Sequence, residues 1–321
     1  GTGPFRFVSY TPLESLVMEK NPDYYGTPAY LDEVTFRICA SIDAAFMELL
    51  AGAIDIFPYL TQEQAEQLDE TYRIEVGASN LVQALFLNNA VEPLNNVKVR
   101  QAICYAVDKE AVNAFVAGGN AMQIGSAMLP ALKDYYVELN DVYGTTANPE
   151  KAKQLMTEAG YPNGFDLEIT VPSNYAFHMQ TAEVVVEQLK AAGINAKINA
   201  VEWNTWLTEC YQGRQYESTI CGITCDMTPG YLLNRFQSES SKNFINYKNA
   251  EYDEVFKKAQ SSLDLQEKSK YYKQLQELLT KDAGTAFIQI PPITIAMKNT
   301  LGGYKFYPVY VQDMSTVYYT K

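Results

Sequence analysis

The sequence predicts a mixed α/β protein arranged as two lobes, and three observations carry that class. The chain has 321 residues, 47% of them hydrophobic and 12% aromatic, enough to bury more core than one small domain holds. Strand-type alternation and helix-type spacing follow one another along its length. Residues 165–225 then run strand, helix, strand, helix, strand, and such crossovers favour parallel pairing with a right-handed connection.

Taken from the N-terminus, VTFRICA (34–40) reads as a strand. Ser41 is placed to cap a helix with Ile42, Ala45, Phe46, Leu49 and Leu50 on one face, and Gly52 to stop it. AIDIF (53–57) is a short extended piece, TQEQAEQLDE (61–70) a polar helix and LVQALFLNN (81–89) a second apolar strand. VRQAICYAVDKEAVNAFV (99–116) keeps helical spacing up to Gly118 and Gly119, so a single helix is expected there. A loop-rich stretch occupies 118–147. Asn148 then caps a helix with Pro149 at its first position; Ala152, Leu155, Met156 and Ala159 form the buried face and Gly160 closes it.

FDLEITVP (165–172) alternates Leu167, Ile169 and Val171 toward one face. Residues 178–192 form an amphipathic helix with Ala182, Val185, Val186 and Leu189 inward, and INAKINAV (194–201) alternates again. A helix at about 203–212 leads to YESTICGITC (216–225). These three strands are expected to run one way. Residues 251–283 read as two helices with charged faces, and AFIQIPPITIAM (286–297) as an extended segment whose prolines suit a crossing or a sheet edge.

In a sheet of this kind ligands collect outside the carboxyl ends of the strands. Those ends carry Ser173, Asn174 and Tyr175, then Glu202, Trp203 and Trp206, then Thr224, Asp226 and Met227. The run CGITCDMTPGY (221–231) is nearly apolar yet halts on Asp226 before Pro229 and Gly230, which places the carboxylate at the mouth of a site rather than in a core. Two roles stand open for Asp226: partner of a cationic ligand group, or cap of its own turn. Trp203 and Trp206 are three apart on a helix and face one way, and one of them suits the core. Ser173 or Asn174 suits an N-cap ahead of Tyr175. His178 is expected to be a surface or capping residue.

Charge and composition narrow the function. Lys and Arg total 25 against 38 Asp and Glu, a net charge of −13, so nucleic acid is not an expected partner and the acids read as a solvated face rather than a metal cluster. No apolar stretch reaches the ~18–20 residues that cross a bilayer. Five cysteines are too few and too irregular for a disulfide scaffold and read as small core residues. With one histidine and no G-x-S-x-G, H-E-x-x-H, G-x-G-x-x-G or P-loop pattern, an enzyme ranks behind a binding protein and no cofactor is expected.

Several stretches carry a resemblance: GTGPF at the start, NPDYYG (21–26), NNVKVRQAICYAVDKEAV (95–112), NPEKAKQLMTEAGYPNGFDLEIT (148–170), VVEQLKAAGI (185–194) and NAEYDEVFKKA (249–259). In this order, over essentially the whole chain, the sequence resembles the family 5 extracellular solute-binding proteins, the peptide- and dipeptide-binding components of ABC importers. The resemblance implies a two-lobed, periplasmic-binding-protein-like fold of type II, cluster C. In that family GTGPF lies well inside the mature protein. The resemblance thus implies a C-terminal portion of a longer protein, lacking the N-terminal part of its first lobe, its signal peptide and any lipid-carrying cysteine. Residues 1–88 would be the later part of lobe I, 89–288 lobe II and 289–321 a return to lobe I.

The function so implied is capture of peptides in a cleft between lobes and delivery to ABC permease subunits, without catalysis, by an extracellular lipoprotein (periplasmic in a Gram-negative cell). The implied ligand-binding residues are Asp226, Thr224, Trp203, Trp206, Tyr175, Asn174 and Met227. Asp226 matches the family aspartate that pairs with a peptide's α-amino group. The turn after it is slightly shorter than in the family and lacks a second acid, and Ile223 stands where the family usually has Trp. Within the same fold an oligosaccharide, a nickel or haem complex, or a surface-sensor role are the alternatives.

Overall fold

The computed structural model describes residues 1–225, 227–307, 309 and 311–320. The chain divides into two compact units, Gly1–Ser79 with Pro292–Lys321, and Asn80–Pro291. The family resemblance implies these changes at residues 88 and 288. The chain enters the second unit ahead of the strand Leu81–Leu87, because that strand pairs inside the second unit's sheet.

In the first unit β1 (Phe5–Thr11), β2 (Ser15–Lys20) and β3 (Glu33–Arg37) form an antiparallel meander. Helix α1 (Ile42–Leu50) starts where expected, with the Ser41 side chain accepting from Ala44 N, and buries Phe46 and Leu49. β4 (Ile56–Phe57) follows. The polar helix expected over 61–70 is a single turn, α2 (Gln62–Ala65). Thr61 and Gln64 close a reciprocal capping box at its start, but the stretch has no apolar stripe long enough to hold further turns against a core. β5 (Tyr72–Ala78) completes this part.

The second unit opens with β6 (Leu81–Leu87). The single helix expected over 99–116 is two, α3 (Val97–Ala106) and α4 (Lys109–Ala117). Val107 is extended, and the Asp108 side chain accepts from Ala111 N at 2.8 Å, which starts a new helix instead of continuing the first. The loop-rich stretch holds only the short β7 (Met122–Gln123) and one 3₁₀ turn. α5 (Pro149–Glu158) begins on the Asn148 cap. Then come β8 (Phe165–Pro172), α6 (Ala176–Lys190), β9 (Ile194–Val201), α7 (Trp203–Thr205), a π-helical turn Trp206–Gln212 and β10 (Ser218–Thr224). α8 (Pro229–Leu233), α9 (Ala250–Ser261), α10 (Leu265–Lys281) and β11 (Thr285–Ile290) end the unit.

These strands form one sheet in the order β7-β11-β6-β10-β8-β9. β8 pairs parallel with both β9 and β10, as the crossovers require, while β6 runs antiparallel to β10 and β11. Side chains on β10 alternate between two cores. Cys221 and Ile223 pack with Trp206, Tyr252 and Leu275 on one face, and Ile220 packs with Leu85, Ile103 and Val185 on the other.

On the return, β12 (Pro292–Lys298) lies between β4 and β5, and β13 (Leu301–Gly302) pairs with β14 (Tyr318–Tyr319). The segment expected to be a crossing or an edge is therefore two interior strands, β11 and β12, in different sheets. The prolines are tolerated because Pro291 lies between the strands and Pro292 is the first residue of β12.

None of the five cysteines is in a disulfide, and four of them are buried. No helix among the described residues is long and apolar enough to cross a membrane, and no cluster of three metal-ligating side chains occurs among them.

Candidate functional site

Parallel pairing puts the carboxyl ends of β8, β9 and β10 along one edge of the second unit's sheet. Ser173, just past β8, donates its backbone N–H to Val201 O at the end of β9 (2.8 Å), which ties the two following loops together. As a result Tyr175 and Trp203 meet edge to face, with ring centroids 5.4 Å apart. Tyr175 is 42% exposed, and Trp203 is partly buried against the core. Tyr175 occupies the N-cap position of α6 with no side-chain cap bond. Asn174, exposed beside it, does not take the capping role that the sequence offered.

Trp206 is the floor of this patch. It is buried, its Nε1–H donates to Thr219 Oγ1 at 2.9 Å, and its ring stacks under that of Trp203. The π-helical turn adds Tyr211, whose ring lies 6.1 Å from Trp206 at 26°. An α-helical reading does not put positions five apart on one face; the wider turn, marked by Gly213 N bonding Thr208 O, does. Tyr211 also accepts a hydrogen bond from Arg235 Nη1 at 3.2 Å, while Arg235 Nε is buried with no hydrogen-bond partner. Lys242 lies 3.5 Å over the Tyr231 ring, a cation–π contact. Neither Tyr211 nor Arg235 carries a signal in the sequence that separates it from ordinary surface residues.

Thr224 is the exposed last residue of β10 and pairs with Leu81. Met227 is 38% exposed. Asp226 lies outside the described residues. Cys225, which precedes it, is fully buried and anchored: its N–H donates to Asn80 O and its Sγ to Ala127 O. The three loops thus share one edge of the sheet. The loop after β10 is separated from the loop after β9 by the width of β8, roughly 10 Å at the usual spacing of about 4.8 Å per strand.

His178 is not a surface or capping residue. It is 7% exposed, its Nδ1 lies 2.8 Å from Gln83 Nε2, and its ring is 5.5 Å from that of Tyr175. Gln83 Oε1 accepts from both Gln289 Nε2 (2.8 Å) and Thr181 Oγ1 (3.2 Å). The Gln83 amide therefore turns its NH₂ toward the imidazole, so Nδ1 accepts and the proton sits on Nε2. Burial lowers the His178 pKa to about 4 and keeps it neutral. Gln83 and Gln289 face each other across β6 and β11, a pairing no local pattern announces.

The arrangement can present an aromatic wall and hydrogen-bonding groups to a ligand. Among the described residues, no nucleophile, base and orienter come together in it. Comparison with known proteins points the same way. A family model described as bacterial extracellular solute-binding proteins, family 5 Middle, matches residues 1–244. The oligopeptide-binding protein AppA of Bacillus subtilis is 29% identical over 325 residues, 96% of this chain and 60% of that protein. Heme-binding protein A of Haemophilus influenzae is 27% identical over 88% of this chain and 53% of its own length. The solved structure of the ABC transporter-associated periplasmic binding protein DppA from Helicobacter pylori, in complex with the peptide STSA, is 28% identical. It superposes with a TM-score of 0.83 over 100% of this chain and 63% of that one. The chain thus spans 53% to 60% of the length of these two curated relatives.

Proposed function

The chain belongs to the bacterial extracellular solute-binding proteins of family 5, and from that premise we propose that it captures a small peptide and passes it to the permease subunits of an ABC importer. The family is one of binding proteins rather than catalysts, and the ligand leaves unchanged. In this reading the unit Asn80–Pro291 is lobe II and the other unit belongs to lobe I. The protein works outside the cytoplasm, at the cell surface or in the periplasm.

The observation that carries the reading is the meeting of Tyr175 and Trp203 at the carboxyl ends of β8 and β9, beside the strand that leads into Asp226. Flat side chains of this kind contact many substituents at small entropic cost, which suits a ligand of variable sequence. Asp226 is assigned the ligand's ammonium, a charge-assisted partner with three donors. Asn174, Thr224 and Met227 border the same edge. Two relatives with similar identity are named for different ligands, an oligopeptide and heme, so the site has to decide. His178 is buried and its Nδ1 engaged, which supports a peptide over a metal complex.

A thermal-shift series tests this, since a ligand that binds only the native state raises its stability by RT ln(1 + [L]/Kd). Free di- to tetrapeptides are expected to shift the melting temperature and their N-acetylated forms are not. Asp226→Asn is expected to remove that discrimination. A shift with oligosaccharides or a nickel chelate alone would overturn the peptide assignment.

A further inference from the structure

A small cavity lies in the second unit where α3, α4, the connection after β7 and the start of β11 come together. Its volume is about 10 Å³, close to the room one water molecule requires. Cys104, Lys109, Gly125, Thr280 and Thr285 are among its lining residues, and none of the lining residues is Asp or Glu.

Two polar groups on this wall have bonding capacity left. Thr285 is 2% exposed, and its Oγ1 is buried without a hydrogen-bond partner. Lys109 is 5% exposed, and its Nζ donates to Ile124 O at 2.9 Å and to Asn140 Oδ1 at 3.0 Å. An ammonium has three N–H groups, so one remains. The neighbouring polar groups are already engaged. Thr280 Oγ1 donates to Gly125 O (2.9 Å), Tyr143 OH to Lys281 O (3.0 Å) and Asn140 Nδ2 to Gln123 O (3.2 Å). Burial pushes the Cys104 thiol up to about 12, so it is a weak dipole rather than a counter-charge.

A buried hydroxyl without a partner carries an unrecovered desolvation cost, and an unpaired N–H on a buried ammonium carries one as well. One small molecule that can accept and donate, seated in the cavity both residues line, would offset these costs. We propose that the cavity is the binding site of a single structural water, which accepts from Lys109 Nζ and bonds the Thr285 hydroxyl, with the Cys104 sulfur as a weak third partner. The water completes a polar tie between two elements far apart in sequence. Lys109 on α4 already holds Ile124 and Asn140 of the long connection, and the water joins that cluster to Thr285 on β11. No side chain at position 125 can take the water's place, because a Cβ there would lie 2.3 Å from the Leu139 backbone.

The test is a crystal structure of the protein at a resolution that shows ordered water, with a bromide-soaked crystal collected alongside. One density peak within about 2.7–3.2 Å of both Lys109 Nζ and Thr285 Oγ1, silent in the bromide anomalous map, supports the site. A bromide signal there would make it an anion site and overturn the proposal, as would featureless density. The thermal readout is independent of crystals. Thr285→Val takes a partner from the water and is expected to lower Tm by roughly 2–4 °C, with Thr285→Ser close to the wild type. A dry cavity gives the opposite result for Thr285→Val, an unchanged or raised Tm, because an unbonded hydroxyl is then replaced by a methyl group.

Discussion

The indole ring of Trp203 lies flat on that of Trp206, with centroids 5.2 Å apart and planes 7° from parallel. The two residues have different roles in spite of this contact. Trp206 is 5% exposed and bonded to Thr219, and Trp203 covers it from the loop side. Trp206→Ala is expected to destabilise the protein by about 3–5 kcal/mol, as truncations of large buried aromatics do. Trp203→Ala is expected to cost about 1 kcal/mol, within the range for loss of one stacked pair, while weakening peptide binding. Urea unfolding and calorimetric titration of the two variants separate these effects; equal stability losses would show that Trp203 is also a core residue.

The His178 network makes stability depend on mildly acidic pH. Burial lowers the His178 pKa from 6.5 to about 4, so between these values the unfolded chain binds a proton that the native state does not. Stability is then fully present above pH 6.5 and falls as the pH drops toward 4, by roughly 3 kcal/mol at 1.36 kcal/mol per pKa unit. Below that the loss levels off, because both states are protonated. Melting temperatures measured from pH 7 to 4 are expected to fall more steeply for the wild type than for His178→Gln. Parallel curves would sink the assignment.

Asp108 divides what the apolar pattern presents as one helix. Its Oδ1 accepts from Ala111 N at 2.8 Å and its Oδ2 from Ala147 N at 3.3 Å. Asp108→Ala is expected to cost about 1–2 kcal/mol, the range for loss of an N-cap, and Asp108→Asn or Ser much less. Hydrogen exchange is expected to accelerate in the first turn of α4 and not in α5; uniform acceleration would mean that the cap does not act locally.

Two glycines meet where β8 and β9 begin. Gly164 has φ +77°, and a Cβ on it would lie 1.7 Å from Gly193 O. Gly164→Ala therefore combines a left-handed backbone with a backbone clash and is expected to lose more than about 4 kcal/mol, the range of severe substitutions. Gly160, also at positive φ but facing open space, is expected to lose only about 1 kcal/mol on change to Ala. Similar melting temperatures for the two variants would contradict this.

Much of the fold was legible because it rests on local signals. Ser41 and Asn148 cap the helices they were expected to cap, and the alternation of Leu167, Ile169 and Val171 identified a buried strand face. The two helical crossovers were enough to set β8, β9 and β10 parallel, since connection handedness leaves little choice. That in turn is enough to bring Tyr175 and Trp203 to one edge. Helix continuity across Val107 was misread because apolar spacing runs through the break and only the cap shows it.

By itself, then, the sequence determined the family, the α/β class, the parallel core and the segments that border the candidate site, since periodicity, caps and turns act over a few residues. Tertiary structure alone decided that β6 and β11 enter the middle of the sheet, that Gln83 and Gln289 meet there, and that His178 is buried against them. It also decided that Trp206 faces inward while Trp203 covers it. The physical reason is the same in each case: whether a polar or aromatic group is buried depends on which distant strand supplies its partner, and strand pairing across long sequence separations leaves no local periodic trace.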